Sequence, residues 1–496
     1  MEDGSGALSP DYYPRPNEEE VEREAASEQK RTTRAWDVLC VLCIKLDAAL
    51  CCGFILCRTC LASCFQLRQS AFTRVAYIGF LLGGCLISCF MLAPQTHLLL
   101  GDRFCQRITY FACDTLRGYS AVYRVLSAIA VFFFILALLM FGLTSSRGWR
   151  ARANNGLWAI KILLLSILTF AFLFIPHSEY TGEIWMFFGL NGGFTFIILQ
   201  FMLLIDLVHC WNTSCVERLD SCSSYSRARV LYCVLWIPTI LLFTASVISI
   251  VLFFHLYAGT GCRNNTFFIC FNVYICLAAT YISVNPVVQE ARPRSGLLQA
   301  AVTTSYNTYV TWLALSNAPD KVCNPSESYL YPGSPFQNLQ LLIGLGFMFF
   351  ILLCFSLRRV KPPQYGKIKL FSGKQKEVVP DTEGCSPSRP HPRQGDGGKL
   401  LIEDELNGVE YSYSFFHTLL CLAALYSMMT ITDWYRPEEG EHLSVKLISG
   451  WGAVWIRLSA GIFSVFIYIW TLIAPVMFPN SYKDLVFFQF MLRVEE

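Results

Sequence analysis

The chain has 496 residues, of which 54% are hydrophobic and 15% are charged, and its formal net charge at pH 7 is +3. The charged fraction is well below that of soluble domains, and the net charge is too small for a nucleic-acid-binding surface. Composition therefore excludes an ordinary soluble domain and a nucleic-acid-binding protein, and it favours a protein of the lipid bilayer.

The first 35 residues form a polar, acidic tail that lacks the apolar core of a signal peptide. The acidic residues are Glu18, Glu19, Glu20, Glu22 and Glu24. This composition is typical of a disordered, solvated segment. We therefore expect membrane insertion to depend on the first membrane helix itself.

The next segment, residues 36–57, is apolar and rich in cysteine, although Lys45 and Asp47 lie inside it. Two CxxC pairs have the spacing of a zinc ribbon, but that fold needs polar knuckle turns and this stretch is apolar throughout. We expect no zinc site here. Reversible palmitoylation at a cytosolic helix end or simple helix packing are the alternatives. The palmitoylation candidates are Cys57, Cys60 and Cys64.

Ten further stretches of about twenty mostly apolar residues follow, separated by short polar breaks. A helix of that length crosses the ~30 Å hydrocarbon layer with its backbone hydrogen bonds made internally. The predicted spans are 75–94, 121–143, 157–175, 184–208, 230–257, 266–284, 297–315, 339–357, 415–431 and 453–475. They form a block of about nine helices over 36–357, a loop over 358–414, a two-helix block over 415–478 and a tail over 479–496.

Loop charge predicts the orientation, because Lys and Arg are retained on the cytoplasmic side. Basic residues are concentrated in alternate loops, whereas the opposite loops are poorer in them apart from one loop with three arginines. If segment 36–57 spans the bilayer, the amino terminus lies outside and the carboxyl terminus inside.

Four cysteines lie in the predicted exterior loops, where disulfides persist. Cys105 and Cys113 share one loop, and Cys262 and Cys323 lie in two others. We expect the pairs Cys105–Cys113 and Cys262–Cys323 as staples between helix ends. Asn264 begins an exterior glycosylation sequon, although it lies very close to the next helix.

Ionisable side chains at membrane depth are costly and therefore candidates for function. Asp206 and His209 share one face of a predicted helix, and Arg124 and Lys161 lie near the ends of two others. These four residues are candidates for a polar path for lipid headgroups. The structural alternative is that Lys and Arg extend to the interface and Asp206 caps a helix end.

The loop over 358–414 is rich in Pro, Gly, Lys and Ser and is predicted to be disordered and cytosolic. Asp396, Leu400 and Leu401 have the spacing of an acidic dileucine motif. This motif indicates binding of sorting adaptors, and an inactive linker is the alternative.

Catalytic signatures are absent from the sequence. It has no Gly-rich phosphate loop, GxSxG or HExxH motif, and it lacks the Asp-rich signature of phosphatidyl-alcohol transferases. We therefore expect no enzymatic activity, no cofactor and no metal site.

Short segments in consistent order resemble the serine incorporator family over about residues 36–478. They are 118–124 (GYSAVYR), 155–161 (NGLWAIK), 204–212 (LIDLVHCWN), 294–299 (RSGLLQ), 309–317 (YVTWLALSN), 323–325 (CNP), 411–417 (YSYSFFH), 432–435 (TDWY) and 470–475 (WTLIAP). The family usually reads HSWNESW where residues 209–215 read HCWNTSC, which puts any role of that loop in doubt. The acidic amino-terminal extension suggests a divergent member.

The resemblance implies an all-α bundle of about 10–11 membrane helices, in two sub-bundles around a long tilted helix with lipid-accessible grooves. It also implies a role in bringing serine into membranes for phosphatidylserine and sphingolipid synthesis. Related members act as ATP-independent lipid scramblases and restrict enveloped retroviruses. The family offers no agreed catalytic motif to carry over.

Two functional hypotheses follow. The first is movement of phospholipids, especially phosphatidylserine, along polar bundle surfaces. The second is a serine carrier with broken helices at the midplane, or a scaffold for the serine-lipid synthases. Serine, those synthases and sorting adaptors are therefore candidate partners, and the expected location is the route from the endoplasmic reticulum and Golgi to the plasma membrane.

Overall fold

The computed structural model describes residues 69–93, 118–143, 146, 148–175, 179–221, 225–291, 296–318, 320, 322–325, 335–357, 411–432, 434 and 451–478. Several predictions lie outside these ranges, including those for both terminal tails, segment 36–57 and most of the 358–414 loop. The candidate residues outside them are Cys57, Cys60, Cys64, Cys105, Cys113, Asp396, Leu400 and Leu401.

The described residues form helices and no strands, which confirms the predicted all-α class. The helices are α1 (Gln69–Leu92), α2 (Gly118–Leu139), α3 (Trp149–Asn155), α4 (Trp158–Leu173), α5 (Glu179–Asp220), α6 (Tyr225–Tyr257), α7 (Arg263–Val284), α8 (Pro286–Ala291), α9 (Leu297–Leu315), α10 (Pro335–Leu357), α11 (Tyr413–Ile431) and α12 (Trp451–Met477).

Eight of these helices are long and apolar enough to cross a membrane. A ninth span results if the short α3 and the following α4 are counted together, although they are bent by 76°. The bend occurs at Gly156 and Leu157, and Leu157 has the left-handed φ of 57°, which is uncommon for a residue with a side chain. The predicted span 157–175 therefore begins just after a sharp turn.

Helix α9 has the bounds predicted for the seventh of the ten stretches, but it is not among the eight apolar helices. Its sequence contains glutamine, asparagine, serine and four threonines. Fifteen of its 19 residues are buried, so these polar side chains contact protein rather than lipid. Burial inside a bundle explains how so polar a helix lies among membrane spans.

The helices form two bundles on either side of α5. The first bundle contains α1, α2, α4, α10 and α11, and the second contains α6, α7, α9 and α12. Helix α5 contacts α10 and α11 on one side and α6, α9 and α12 on the other. Its 42 residues correspond to about 63 Å, which is longer than the predicted span 184–208, because polar turns extend the helix at both ends.

Glycines allow α5 to approach α11 closely. A Cβ atom at Gly189 would lie 2.5 Å from Met429 Sδ, and one at Gly192 would lie 2.4 Å from Leu425 Cδ1. Helix α5 continues without interruption through this region. The structure therefore shows these glycines allowing close helix approach rather than breaking the helix.

Candidate functional site: a buried polar stripe

Four polar side chains form a row along α9, which we call the polar stripe: Gln299, Thr303, Asn307 and Thr311. They recur every four residues and therefore lie on one face of the helix. Each is at most 4% exposed. The Thr303 hydroxyl donates to the Gln299 carbonyl at 2.9 Å, so the stripe satisfies part of its own polarity.

One end of the stripe contacts α5 through His209, a predicted site residue. Its Nδ1 lies 2.8 Å from Gln299 Nε2, a hydrogen bond that links the two helices. Asp206 lies one turn earlier on α5 and is half-buried, as is His209. Asp206 and His209 therefore lie at the end of the stripe that loop charge predicts to be cytosolic.

The middle of the stripe is joined to α7 by an amide pair. Asn307 Nδ2 donates to Asn272 Oδ1 at 2.5 Å, and the Cys276 thiol donates to the same oxygen at 3.4 Å. The side-chain nitrogen of Asn272 is buried and has no hydrogen-bond partner within the described part of the chain. An unsatisfied buried donor is costly and indicates a missing partner such as water or a ligand.

The other end of the stripe, which we call the disulfide end, is held by an arginine and a disulfide. Arg457 of α12 donates from Nη1 to the Leu313 carbonyl and to Asn317 Oδ1, both at 2.6 Å. Cys262 and Cys323 form a disulfide with an S–S distance of 1.97 Å, which is one of the two pairs expected from the sequence. The ends of α7 and α9 are therefore tied together.

Asn264, the glycosylation candidate, lies exposed in the first turn of α7. The neighbouring Asn265 is buried, and its side chain donates to the carbonyls of Tyr257 and Cys323 at 3.2 and 3.0 Å. The sequon asparagine is thus accessible, while the residue next to it closes the loop that carries the disulfide.

The first bundle contains a cluster of a different kind around Asn154. Lys161 donates to the Asn154 carbonyl at 2.7 Å, and His417 Nε2 lies 2.8 Å from Asn154 Oδ1. The Lys161 ammonium also lies 4.0 Å from the Trp158 ring centroid and 4.9 Å from that of Tyr77. Lys161 is only 5% exposed, so it does not extend to an interface.

Arg124 is a residue of α2, and it contacts the chain just beyond the end of α4 that is opposite to Lys161. It donates to the Ile175 carbonyl at 3.0 Å, and its guanidinium carbon lies 6.0 Å from the Trp185 ring centroid. The structure therefore does not gather the four predicted path residues into one site. Asp206 and His209 lie beside the polar stripe, whereas Arg124 and Lys161 are separate parts of the first bundle.

Sequence reasoning did not identify the stripe, and it did not name Asn307 or Arg457. The four-residue spacing along 297–315 was the available signal. Among the described residues, no group of three or more His, Cys, Asp or Glu side chains has the arrangement of a metal site. The polar stripe itself offers neutral hydrogen-bond donors and acceptors.

These features define a multi-pass α-helical membrane protein with a polar stripe inside one of two bundles. The family profile described as "Serine incorporator (Serinc)" matches residues 49–481. The chain belongs to the serine incorporator family.

Individual relatives show similar coverage. A probable serine incorporator of Nematostella vectensis is 39% identical over 445 residues, which cover 87% of this chain and 93% of that protein. Serine incorporator 2 of Homo sapiens is 35% identical over 464 residues, covering 88% and 98%. Serine incorporator 5 of Danio rerio is 29% identical over 471 residues, covering 90% and 100%.

Proposed function

We propose that this protein moves phospholipids between the two leaflets without ATP or any chemical step, and that this movement supports serine incorporation into phosphatidylserine and sphingolipids. The observation that carries the proposal is the length of the polar stripe. The stripe covers 12 residue steps from Gln299 to Thr311, or about 18 Å of helix, and the buried Asn317 continues the row of polar side chains to the disulfide end. The hydrocarbon layer is ~30 Å thick.

The physical barrier to lipid movement is transfer of the headgroup from water into hydrocarbon. A charged group without partners costs several kcal/mol or more there. Hydrogen-bond donors and acceptors along the route lower that cost, while the acyl chains remain in lipid. The polar stripe supplies such groups at intervals of about 6 Å, since they recur every four residues.

The polar stripe is buried in the described conformation, and a cleft that includes Asn272, Asn307 and Thr311 in its lining opens at the seam between α7, α9 and α12. Trp455 and Phe267 flank this seam and are 54% and 59% exposed, while Asn272 and Asn307 lie beneath it. Widening of the seam exposes the amides to a headgroup. This step needs no energy source, so the protein dissipates lipid gradients rather than building them.

The alternative is a serine carrier or a scaffold for serine-lipid synthases. A carrier of the kind expected from the sequence has broken helices at the midplane. In this protein the nearest candidate for such a break is the glycine pair of α5. That helix is continuous through Gly192 and Gly193, so lipid movement is the better-supported mechanism. As part of this function we also propose phosphatidylserine, the serine-lipid synthases and sorting adaptors as partners. The proposed location is the secretory route from the endoplasmic reticulum and Golgi to the plasma membrane.

The test is reconstitution of the full chain in liposomes containing a trace of fluorescent phosphatidylserine, followed by a membrane-impermeant quencher. Loss of fluorescence beyond the outer-leaflet half, without ATP, supports lipid movement. A plateau at one half, with folded protein verified by gel filtration, overturns it, and uptake of radiolabelled serine by the same vesicles then tests the carrier.

Asn307→Leu tests the route itself, because it removes the central amide of the stripe. We expect the rate of quenching to fall about five- to ten-fold, as for loss of one or two hydrogen bonds. Asn191→Leu is the matched control, since Asn191 is an exposed residue of α5 that bonds only within its own helix turn. Equal rates for the two variants would overturn the assignment of the stripe.

A further inference from the structure

A cleft of about 160 Å³ opens between α7, α9 and α12 in the second bundle. Its walls are mainly apolar and aromatic, and three of its lining residues are polar. The lining residues are Phe267, Phe268, Phe271, Asn272, Ile275, Asn307, Val310, Thr311, Trp455, Leu458, Gly461 and Ile462. None of these side chains carries a charge.

The floor of the cleft is the amide pair of the polar stripe. Asn272 and Asn307 are 2% and 3% exposed, and the buried Asn272 Nδ2 has no hydrogen-bond partner among the described residues. Gly461 keeps the floor open, because a Cβ atom there would lie 2.6 Å from Asn307 Oδ1. Asn272 therefore brings to the cleft lining a buried amide nitrogen that has no acceptor among the described residues.

The rim of the cleft is aromatic. The rings of Phe268 and Trp455 are 5.2 Å apart with an interplanar angle of 84°, and those of Phe267 and Phe271 are 5.9 Å apart at 19°. Aromatic faces attract quaternary ammonium groups through the ring quadrupole, and several rings together form a cage for choline. The rim thus suits a cation that has no N–H donors.

The depth of the floor indicates which molecule reaches it. Asn272 is the tenth of 22 residues in α7, about 14 Å from the start of the helix and close to the middle of a ~30 Å hydrocarbon layer. A headgroup at this depth belongs to a lipid in transit rather than to one resting in a leaflet.

We propose that this cleft binds the phosphocholine headgroup of zwitterionic lipids during their passage, a proposal that rests on the proposed function. The trimethylammonium group lies among the rim rings, and a phosphate oxygen accepts a hydrogen bond from Asn272 Nδ2. Because the cleft is uncharged, it offers nothing to balance the net negative charge of a phosphatidylserine headgroup. Choline lipids are therefore the favoured class at this site.

Binding is tested apart from transport, with the purified full chain in a maltoside detergent. Dihexanoylphosphatidylcholine, below its critical micelle concentration, is expected to raise the melting temperature in a saturable way, while dihexanoylphosphatidylserine has little effect. Asn272→Leu should weaken the apparent affinity about ten-fold, and Trp455→Leu about five-fold. Trp470→Leu, elsewhere on α12, and Asn191→Leu are the matched controls.

Trp455 is half exposed, so its replacement carries little risk to folding and keeps the test decisive if Asn272→Leu does not fold. Equal shifts from the choline and serine lipids would overturn the proposal. So would an equal shift from dihexanoylglycerol, which has the chains without the headgroup and would show that the cleft binds a hydrocarbon chain.

The second readout is the rate of lipid movement in the quenching assay. It is measured for fluorescent phosphatidylcholine and fluorescent phosphatidylserine in separate vesicles. Trp455→Leu is expected to slow phosphatidylcholine about five-fold and phosphatidylserine much less. An equal effect on both lipids would overturn the choline assignment while leaving the proposed function intact. If neither lipid moves in the wild-type protein, the proposed function fails and the binding experiment still decides the cleft.

Discussion

The two bundles bury polar groups in different ways. In the first bundle, the cation of Lys161 and the ring of His417 converge on the single residue Asn154. The cluster is closed by the aromatic side chains of Tyr77 and Trp158. Its partners belong to α1, α3, α4 and α11, so it fixes the packing of four helices at one point.

The second bundle distributes neutral polar groups along one helix instead. The polar stripe runs along α9 from Gln299 to Thr311. Its central amide pair lines a cleft, and Asn272 Nδ2 of that pair has no hydrogen-bond partner among the described residues. A cluster whose hydrogen bonds converge on one residue stabilises one arrangement, although His417 Nδ1 has no partner among the described residues. A row of neutral groups spread along a helix can instead exchange partners. Under the proposed function, the first bundle is the scaffold and the second bundle carries the lipid route.

The largest expected effect is loss of the scaffold. Phe416→Ala removes a fully buried ring whose centroid lies 5.8 Å from that of His417. We expect the free energy of unfolding to fall by about 3–5 kcal/mol, as for other buried Phe→Ala substitutions. Thermal unfolding in detergent measures it, with the lipid-facing Phe466→Ala, 65% exposed, as control. Similar losses for both variants would refute a tightly packed first bundle.

A smaller effect is expected at the disulfide end of the second bundle. Replacing Cys262 and Cys323 with serine removes a cross-link between residues 61 positions apart, which should lower the free energy of unfolding by about 2–4 kcal/mol. The melting temperature with and without a reductant measures the effect. Reduction should lower it more in the wild type and in Cys270→Ser than in the double variant, which keeps only the expected Cys105–Cys113 pair. An equal response in all three would contradict the prediction.

At the other end of the stripe, Asp206→Leu should slow lipid movement about three-fold, with little change in the amount of folded protein. The reason is that Asp206 and His209 lie where a headgroup first meets α9. Asp220→Leu, an exposed site at the end of the same helix, is the control in the vesicle assay. An unchanged rate, or a loss of folded protein that accounts for the slower rate, would make Asp206 a structural residue.

The smallest effect is expected for Lys161→Met. Its neighbours are aromatic rings, and a flexible apolar side chain of similar length occupies the same space, so we expect the rates for both fluorescent lipids to change less than two-fold. Lys161→Arg serves as the charge-preserving control. If Lys161→Met slows lipid movement while Lys161→Arg does not, the route passes through the first bundle and the comparison between the bundles is reversed.

The sequence predicted the membrane helices well where the surroundings are lipid. The ends of α6, α7, α10 and α11 lie within a few residues of the predicted spans, because apolar runs end where the helix leaves hydrocarbon. Helix α5 was predicted too short, since its polar turns at Glu179 and Asp220 are stabilised outside the apolar run. The bend at Leu157 was not predicted, because its left-handed backbone has no sequence signal.

The candidate site was less predictable. Asp206 and His209 were found because charge at membrane depth is easy to see, and the contact of His209 with Gln299 places them beside the stripe. Asn307 and Arg457 were missed because their role depends on which helices face each other. Side chains such as Lys161, which a sequence alone places at an interface, turn out to be enclosed by rings from other helices.

The length of α5 has a mechanical consequence. The helix is about 63 Å long and is clamped to α11 near its first half through Gly189 and Gly192, while Tyr306 of α9 donates to its Ile197 carbonyl at 2.8 Å. A rigid rod held in this way acts as a lever: a rotation of only one degree about its midpoint displaces each end by about 0.5 Å. A small shift of the first bundle at its contact with α5 is therefore expected to displace the part of α5 that lies beside α9.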